Sequence, residues 1–182
     1  MVHKFCAYVL YKLFGWKLEG KIPRDVSQLV FVCLPHTSYW DFIFVVLFVK
    51  AENIKATIFG KDGFYFFPLT LGYKYFRVVP IKRNKKNNFV QQAASLYADD
   101  KPLWTAMAPE GTRSKMTALK SGYYYLAKTA DIPIVPVGLD FKTRSVVFEA
   151  PRKVLESFEL DEENLLEFSR RFSGKRPELG LS

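Results

Sequence analysis

The chain has 182 residues, 49% of them hydrophobic and 25% charged, which fits one domain with a substantial core and excludes a disordered chain. Its net charge of +9 is uneven, because residues 1–90 hold 14 Lys/Arg against 5 Asp/Glu whereas residues 91–182 hold 13 against 13. A basic first half suits an anionic partner such as a membrane surface, a phosphorylated substrate, an acidic carrier protein or nucleic acid. Solubility alone is the other explanation of this charge.

The N-terminal segment, residues 1–27, bears on where the protein works. Lys12 interrupts its apolar stretch and no cleavage site of small residues follows, so we expect no secretory signal. We expect the two cysteines, Cys6 and Cys33, to be reduced in the cytoplasm. No apolar run reaches the roughly 20 residues that span a bilayer. Residues 1–16 mix aromatic residues with lysines, which predicts either a short amphipathic helix in the membrane interface or a helix packed on the domain.

A strand, a turn and a helix start are predicted around the first of two informative stretches. Residues 28–34 form a bulky, β-branched run that is typical of a buried strand, and Pro35 ends it. Ser38 followed three residues later by Asp41 matches a helix capping box, and an apolar helix continues to about residue 51. That helix is apolar nearly all round, which predicts burial on more than one side or contact with an acyl chain.

One of the two histidines, His36, lies in the turn between this strand and helix. Because His36 precedes the helix and Asp41 is in its first turn, the chain can fold back so that the carboxylate accepts a hydrogen bond from the imidazole. A general base needs this arrangement, since imidazole titrates near about pH 6.5 and a carboxylate sets its tautomer. The alternative is that Asp41 only caps the helix and His36 only fills the turn.

The remaining elements alternate between strands and helices. Strands are predicted at residues 56–61, 77–83, 102–108, 132–138 and 145–148, and helices at residues 88–98, 121–130 and 161–172. Prolines within the strand at 132–138 predict an edge strand or a bulge. The aromatic stretch 63–75 predicts core packing, an acyl groove or lipid contact, and residues 174–182 predict a loose tail. Together these elements predict a single α/β domain over residues 28–182, with a mixed, mostly parallel sheet flanked by helices.

Two loops that follow predicted strands carry side chains suited to a phosphate. Arg83 ends the strand at residues 77–83, and ligands of open α/β sheets gather at the carboxyl ends of strands. In the second informative stretch, residues 109–114, Gly111 permits close backbone approach, Thr112 offers a hydroxyl and Arg113 supplies a charged fork. For Arg83, the alternative is a basic loop that is merely solvated. For residues 109–114, the alternative is an ordinary turn without a ligand.

The chain resembles the lysophospholipid acyltransferase family, the PlsC-like glycerolphosphate acyltransferases. Four blocks match that family in order within about residues 28–140, namely His36-Thr37-Ser38-Tyr39-Trp40-Asp41, Arg77–Arg83, Pro109-Glu110-Gly111-Thr112-Arg113-Ser114 and Ile132-Pro133-Ile134-Val135-Pro136-Val137. The resemblance implies transfer of a fatty acyl group from acyl-CoA or acyl carrier protein to the free hydroxyl of a lysophospholipid such as 1-acyl-glycerol-3-phosphate, without a metal, cofactor or prosthetic group. It implies that His36 is the general base and Asp41 its orienting partner. It places the following residues at the acceptor site: Arg83, Glu110, Gly111, Thr112 and Arg113.

Departures from the family pattern leave the acceptor open. Ala108 stands where the family often has Phe, and Lys82 stands where acidic residues are common. A lyso-aminolipid, such as an ornithine or glycine lipid, is an alternative acceptor. A thioesterase is a further alternative, as is a non-enzymatic module for anionic lipid or nucleic acid, although we find no nucleic-acid-binding motif. The resemblance implies a cytoplasmic protein held peripherally at the inner face of the membrane.

Overall fold

A computed structural model describes residues 2–61, 78–81, 86–99 and 101–180, and one sheet organises them. Its strands are β1 Lys17–Glu19, β2 Gln28–Leu34, β3 Ala56–Lys61, β4 Val78–Ile81, β5 Leu103–Met107, β6 Ile134–Asp140 and β7 Ser145–Phe148. They lie in the order β1-β7-β6-β2-β5-β3-β4. Every neighbouring pair is parallel except β6 and β7. The predicted single α/β domain with a mixed, mostly parallel sheet is therefore confirmed, while the short strand β1 was not predicted.

Helices cover both faces of this sheet. They are α1 Val2–Ala7, which continues as a π-helical segment Tyr8–Leu13, α2 Tyr39–Ala51, α3 Lys86–Ser95, α4 Gly122–Ala130 and α5 Phe158–Arg170. Side chains of a strand alternate between the two faces, so β2 contributes to two separate cores. Leu29 and Phe31 pack with α1 and α2, whereas Val30 and Val32 pack with α3, α4 and α5.

The start of α2 follows the predicted capping box. The Ser38 hydroxyl accepts the N–H of Trp40 at 3.2 Å, and the Asp41 carboxylate accepts the N–H of Ser38 at 2.8 Å. The helix begins at Tyr39 rather than at residue 41, because the residue that follows an N-cap already has helical dihedral angles. This capping interaction determines where the chain leaves the turn that carries His36.

Strand β6 is an interior strand that contains Pro136. It pairs with β2 on one side and with β7 on the other, so the expectation of an edge strand is wrong. A bulge is present, but it lies in the segment that follows β7 and not in β6 itself. The Pro136 carbonyl accepts the N–H of Glu149 at 3.1 Å, whereas Ile134 pairs with Arg152, so two residues there lie opposite one on β6. Proline is tolerated because regular pairing with β7 begins only at Val137.

The N-terminal segment packs on the domain with one face and exposes the other. Leu10 and Trp16 are buried in the core beneath α2. Phe5, Tyr8 and Leu13 are 66%, 63% and 67% exposed. Within the described ranges, the helices are all too short or too polar to cross a bilayer.

The C-terminal tail is more ordered than predicted. It forms a 3₁₀ turn at Pro177–Leu179, and the N–H of Arg176 donates to the Thr37 hydroxyl oxygen at 3.2 Å. A Cβ atom added at Gly174 would lie 2.6 Å from the same oxygen. The expected loose tail is therefore wrong up to residue 180, because this segment packs against the turn that follows β2.

Candidate active site

The two informative stretches meet at the carboxyl edge of the sheet. β2 and β5 are parallel neighbours, so the loops that follow them emerge side by side. The His36 loop leaves β2 through a cis Leu34–Pro35 peptide, and the Pro109–Ser114 loop leaves β5. A direct hydrogen bond joins them, since the N–H of His36 donates to Glu110 Oε1 at 2.6 Å. The structure thus assembles one site from residues that are far apart in sequence.

His36 and Asp41 form the pair that the sequence predicts. His36 Nδ1 lies 3.2 Å from Asp41 Oδ2, and the same oxygen accepts the N–H groups of Thr37 and Ser38 at 2.7 and 2.8 Å. Asp41 is 3% exposed, whereas the His36 side chain is 26% exposed. A carboxylate against Nδ1 leaves Nε2 as the nitrogen that can accept a proton from an incoming group. The pair therefore has the geometry of an oriented general base.

Glu110 is the most deeply buried charged residue of the site, at 1% exposure. Burial raises the pKa of its carboxyl above the ordinary value, although the His36 N–H and the His36 charge oppose this. The carboxylate points at the backbone of the His36 loop, so its direct effect is to position that loop against β5. A contact between Glu110 and an acceptor stays a prediction.

The raised pKa of Glu110 predicts a pH-dependent stability. The stabilisation that comes with its protonation is present below its ordinary pKa near 4.5 and is lost as pH rises through the raised value. Glu110→Gln keeps an oxygen for the His36 N–H but cannot titrate. We expect the unfolding free energy of the wild type to fall relative to Glu110→Gln as the pH rises from 4.5 through the raised pKa of Glu110, measured by urea denaturation. Parallel curves would contradict this, and the exposed Glu163→Gln is the control.

A positively charged side chain lies over the backbone of Gly111. Gly111 has a φ of +64°, which favours glycine, and a Cβ atom there would come within 2.6 Å of Lys120 Nζ. The chain returns to this point because the N–H of Lys120 donates to the Pro109 carbonyl at 2.8 Å. An ammonium group beside an open backbone turn is suited to an anion.

Arg113 supplies a second cation and is held by a residue of the other loop. Its guanidinium carbon lies 3.4 Å from the centre of the Tyr39 ring, at the first residue of α2. Stacking on an aromatic face restricts the guanidinium while leaving its N–H donors free to meet an anion. Thr112 shapes the same loop, since its hydroxyl oxygen accepts the N–H of Ser114 at 3.2 Å.

Sequence reasoning missed two of these residues, Lys120 and Tyr39. Lys120 carries no local signal, because only the folded loop returns it to Gly111. Tyr39 lies within the first informative stretch, but its contact with Arg113 requires both loops to be placed. Arg83, the remaining predicted site residue, lies outside the described residues.

The cysteine nearest the site is not equipped to form an acyl-enzyme. Cys33 precedes the His36 turn by one strand position and packs against the core beneath α2. Burial raises the pKa of its thiol to about 12. Because the thiolate is the reactive form, a thiol with this pKa is a poor nucleophile at neutral pH.

Comparisons with known proteins point to one family. A sequence model of the family described as Acyltransferase matches residues 17–140. The 1-acyl-sn-glycerol-3-phosphate acyltransferase of Haemophilus influenzae is 30% identical over 140 residues, which cover 70% of this chain and 55% of that protein. The chain thus spans about half the length of this relative. The crystal structure of the 1-acyl-sn-glycerophosphate (LPA) acyltransferase PlsC from Thermotoga maritima shares the fold, with a TM-score of 0.62 and 18% identity over 93% of this chain and 78% of that one.

Proposed function

Because the chain belongs to the acyltransferase family, we propose that it transfers a fatty acyl group from a thioester donor to the free hydroxyl of a lysophospholipid, with 1-acyl-glycerol-3-phosphate as the expected acceptor. The observation that carries this proposal is the oriented pair of His36 and Asp41 beside a loop with two cations. The activity for which the Haemophilus influenzae relative is named supports the choice of acceptor. The donor is proposed to be acyl-CoA or acyl carrier protein.

The proposed reaction is a direct transfer within one ternary complex. His36 Nε2 accepts the proton of the acceptor hydroxyl as that oxygen attacks the carbonyl carbon of the thioester. The C–O bond forms, the C–S bond breaks, and the imidazolium returns the proton to the departing thiolate. Asp41 stabilises the imidazolium between these two steps, because its Oδ2 contacts Nδ1. No step requires a covalent enzyme intermediate or a resident cofactor.

The acceptor phosphate is proposed to bind on the β5 side of the site. Arg113 and Lys120 lie on this side, on a loop whose backbone turns at Gly111. The guanidinium of Arg113 can meet two phosphate oxygens, whereas the ammonium of Lys120 acts as a point charge. In this arrangement the phosphate orients the glycerol hydroxyl towards His36.

CoA release is the measurement that tests the proposed function. We expect release from acyl-CoA to depend on 1-acyl-glycerol-3-phosphate and to yield a diacyl product. If the rate of CoA release were the same with and without each acceptor, the protein would be a thioesterase instead. A panel that includes lyso-ornithine and lyso-glycine lipids identifies the acceptor, and faster turnover of either would replace the proposed substrate.

We also propose that the protein acts at a membrane surface. Its interfacial surface consists of the exposed residues Phe5, Tyr8, Leu13, Trp40 and Ile43. The two helices pack together near this surface, since the Phe44 ring of α2 lies 5.3 Å from the Phe14 ring, next to Leu13, and 6.2 Å from the Trp40 ring, centroid to centroid. Exposed Lys4 and Lys12 flank this surface and suit anionic head groups. Because Trp40 is in the first turn of α2, a bilayer on this surface would lie beside the His36 loop, which is the catalytic loop of this proposal.

Vesicle binding checks the interfacial surface. Deleting residues 1–16 is a poor test, because Leu10 and Trp16 belong to the core. We expect Phe5→Ser combined with Leu13→Ser to weaken binding to phosphatidylglycerol-containing vesicles at least about tenfold, since each side chain contributes about 1 kcal/mol or more when buried in lipid. The control is Leu155→Ser with Leu160→Ser, which removes two exposed leucines elsewhere. Equal binding by both double variants would contradict the assignment.

A further inference from the structure

A polar cleft of about 390 Å³ opens beside the catalytic loop, on the side away from Glu110. Pro35, the residue before His36, lines it, together with Lys142 after β6 and the end of α5. The C-terminal segment forms another wall at Gly174 and is anchored to the catalytic loop through the Thr37 hydroxyl. A ligand in this cleft would therefore contact Pro35, one residue before His36.

The cleft carries unbalanced positive charge. Lys142, Arg170 and Arg171 line it. The one carboxylate in its lining, Asp140, already accepts hydrogen bonds from three donors: the Lys142 N–H at 2.9 Å, the Thr143 hydroxyl at 2.8 Å and the Ser173 N–H at 3.2 Å. Arg171 pairs with Glu149 at 2.7 Å. Within the part of the chain that the structure describes, Lys142 and Arg170 form no ion pair, so two cations face an opening large enough for phosphate groups.

The sheet topology separates this cleft from the loop assigned to the acceptor. β2 carries the His36 loop and lies between β5 and β6. The loop with Arg113 follows β5, whereas Lys142 follows β6, so the two groups of cations lie on opposite sides of His36. Direct transfer needs donor and acceptor bound at the same time, and both of the proposed substrates carry phosphate.

We propose that this cleft binds the phosphate groups of the thioester donor, a 4′-phosphopantetheine carrier such as CoA. The inference rests on the proposed function for the identity of the ligand. Lys142 and Arg170 neutralise the phosphates, and the pantetheine arm then extends along the catalytic loop towards His36. The acceptor phosphate stays with Arg113 and Lys120 on the other side, which keeps two anionic substrates apart.

Charge reversal at the cleft, measured by binding and by kinetics, tests this proposal. The variant is Lys142→Glu with Arg170→Glu. Its control is Lys55→Glu with Lys101→Glu, which makes the same change in net charge at the amino edge of the sheet. We expect the cleft variant to raise KM for acyl-CoA at least tenfold and to change KM for the lysophospholipid less than twofold, while the control changes neither. A raised KM for the lysophospholipid alone, or unchanged constants, would overturn the proposal.

Calorimetric titration with CoA itself separates this proposal from the proposed function. We expect the cleft variant to bind CoA at least tenfold more weakly than the control even if no lysophospholipid is acylated by the wild type. An unchanged Kd for CoA would overturn the cleft assignment while leaving the acyltransferase proposal intact. Dephospho-CoA and acyl carrier protein locate the bound group. If the cleft variant loses affinity equally for all three donors, the bound group is the phosphopantetheine phosphate that they share. If it loses affinity only for CoA, the bound group is the 3′-phosphate of the nucleotide.

Discussion

Replacing His36 by alanine is expected to lower kcat for acyl transfer by a factor of about 10³, within the range that general base catalysis contributes. The imidazole is 26% exposed, and its Nδ1 lies against Asp41, so Nε2 is the ring nitrogen left to accept a proton from a substrate. Without it, the acceptor hydroxyl must lose its proton to water during attack. CoA release from acyl-CoA, measured with saturating 1-acyl-glycerol-3-phosphate, gives the rate.

The second histidine of the chain supplies the matched control. His3 lies on α1, and its Nδ1 is 3.2 Å from the Lys50 carbonyl, away from the site. His3→Ala is expected to keep the wild-type rate. If His36→Ala retained more than about a tenth of the activity in folded protein, the assignment of His36 as general base would have to be abandoned.

Asp41→Asn is expected to reduce kcat by about 10³ while leaving KM for acyl-CoA nearly unchanged, because the substitution removes the charge that stabilises the imidazolium. It also disturbs the N-terminus of α2, since Asp41 Oδ2 accepts the N–H groups of Thr37 and Ser38. Losing a cap of this kind costs about 1 kcal/mol of stability. Steady-state kinetics and urea denaturation measure the two effects separately.

Asp161 is the control that distinguishes a loss of catalysis from a loss of stability. It is 0% exposed and accepts hydrogen bonds from Arg152 at 2.5 Å and Tyr123 at 2.9 Å, at the start of α5. Asp161→Asn is expected to lower the unfolding free energy at least as much as Asp41→Asn, with kcat unchanged at a temperature where both proteins are folded. If both substitutions reduced kcat alike, Asp41 would be a structural residue without a special role in catalysis.

Local patterns predicted the His36 loop well, because the interactions that shape it are local. β2 has the predicted bounds, and the capping box between Ser38 and Asp41 forms within four residues. The same short segment brings His36 to Asp41, so the contact needs no information about the rest of the fold. The resemblance to the acyltransferases, drawn from four blocks in order, is confirmed by the match over residues 17–140.

Features that depend on distant contacts were predicted less well. The prolines of residues 132–138 allowed two interpretations, and only pairing with β2 and β7 shows that β6 is an interior strand, with a bulge in the segment opposite it. The tail was expected to be loose because the last residues of a domain are often poorly ordered. It is ordered because Arg176 and Gly174 meet Thr37, which lies far away in the sequence.

The amino-acid sequence by itself determined the α/β class, the boundaries of β2 and the pairing of His36 with Asp41. Each of these depends on side-chain periodicity or on contacts between residues a few positions apart. Only the tertiary structure decided that Glu110 holds the His36 loop, that Tyr39 stacks on Arg113, and that a basic cleft lies on the β6 side. The first two contacts each join residues 74 positions apart, and their geometry is created when the sheet places β2 between β5 and β6.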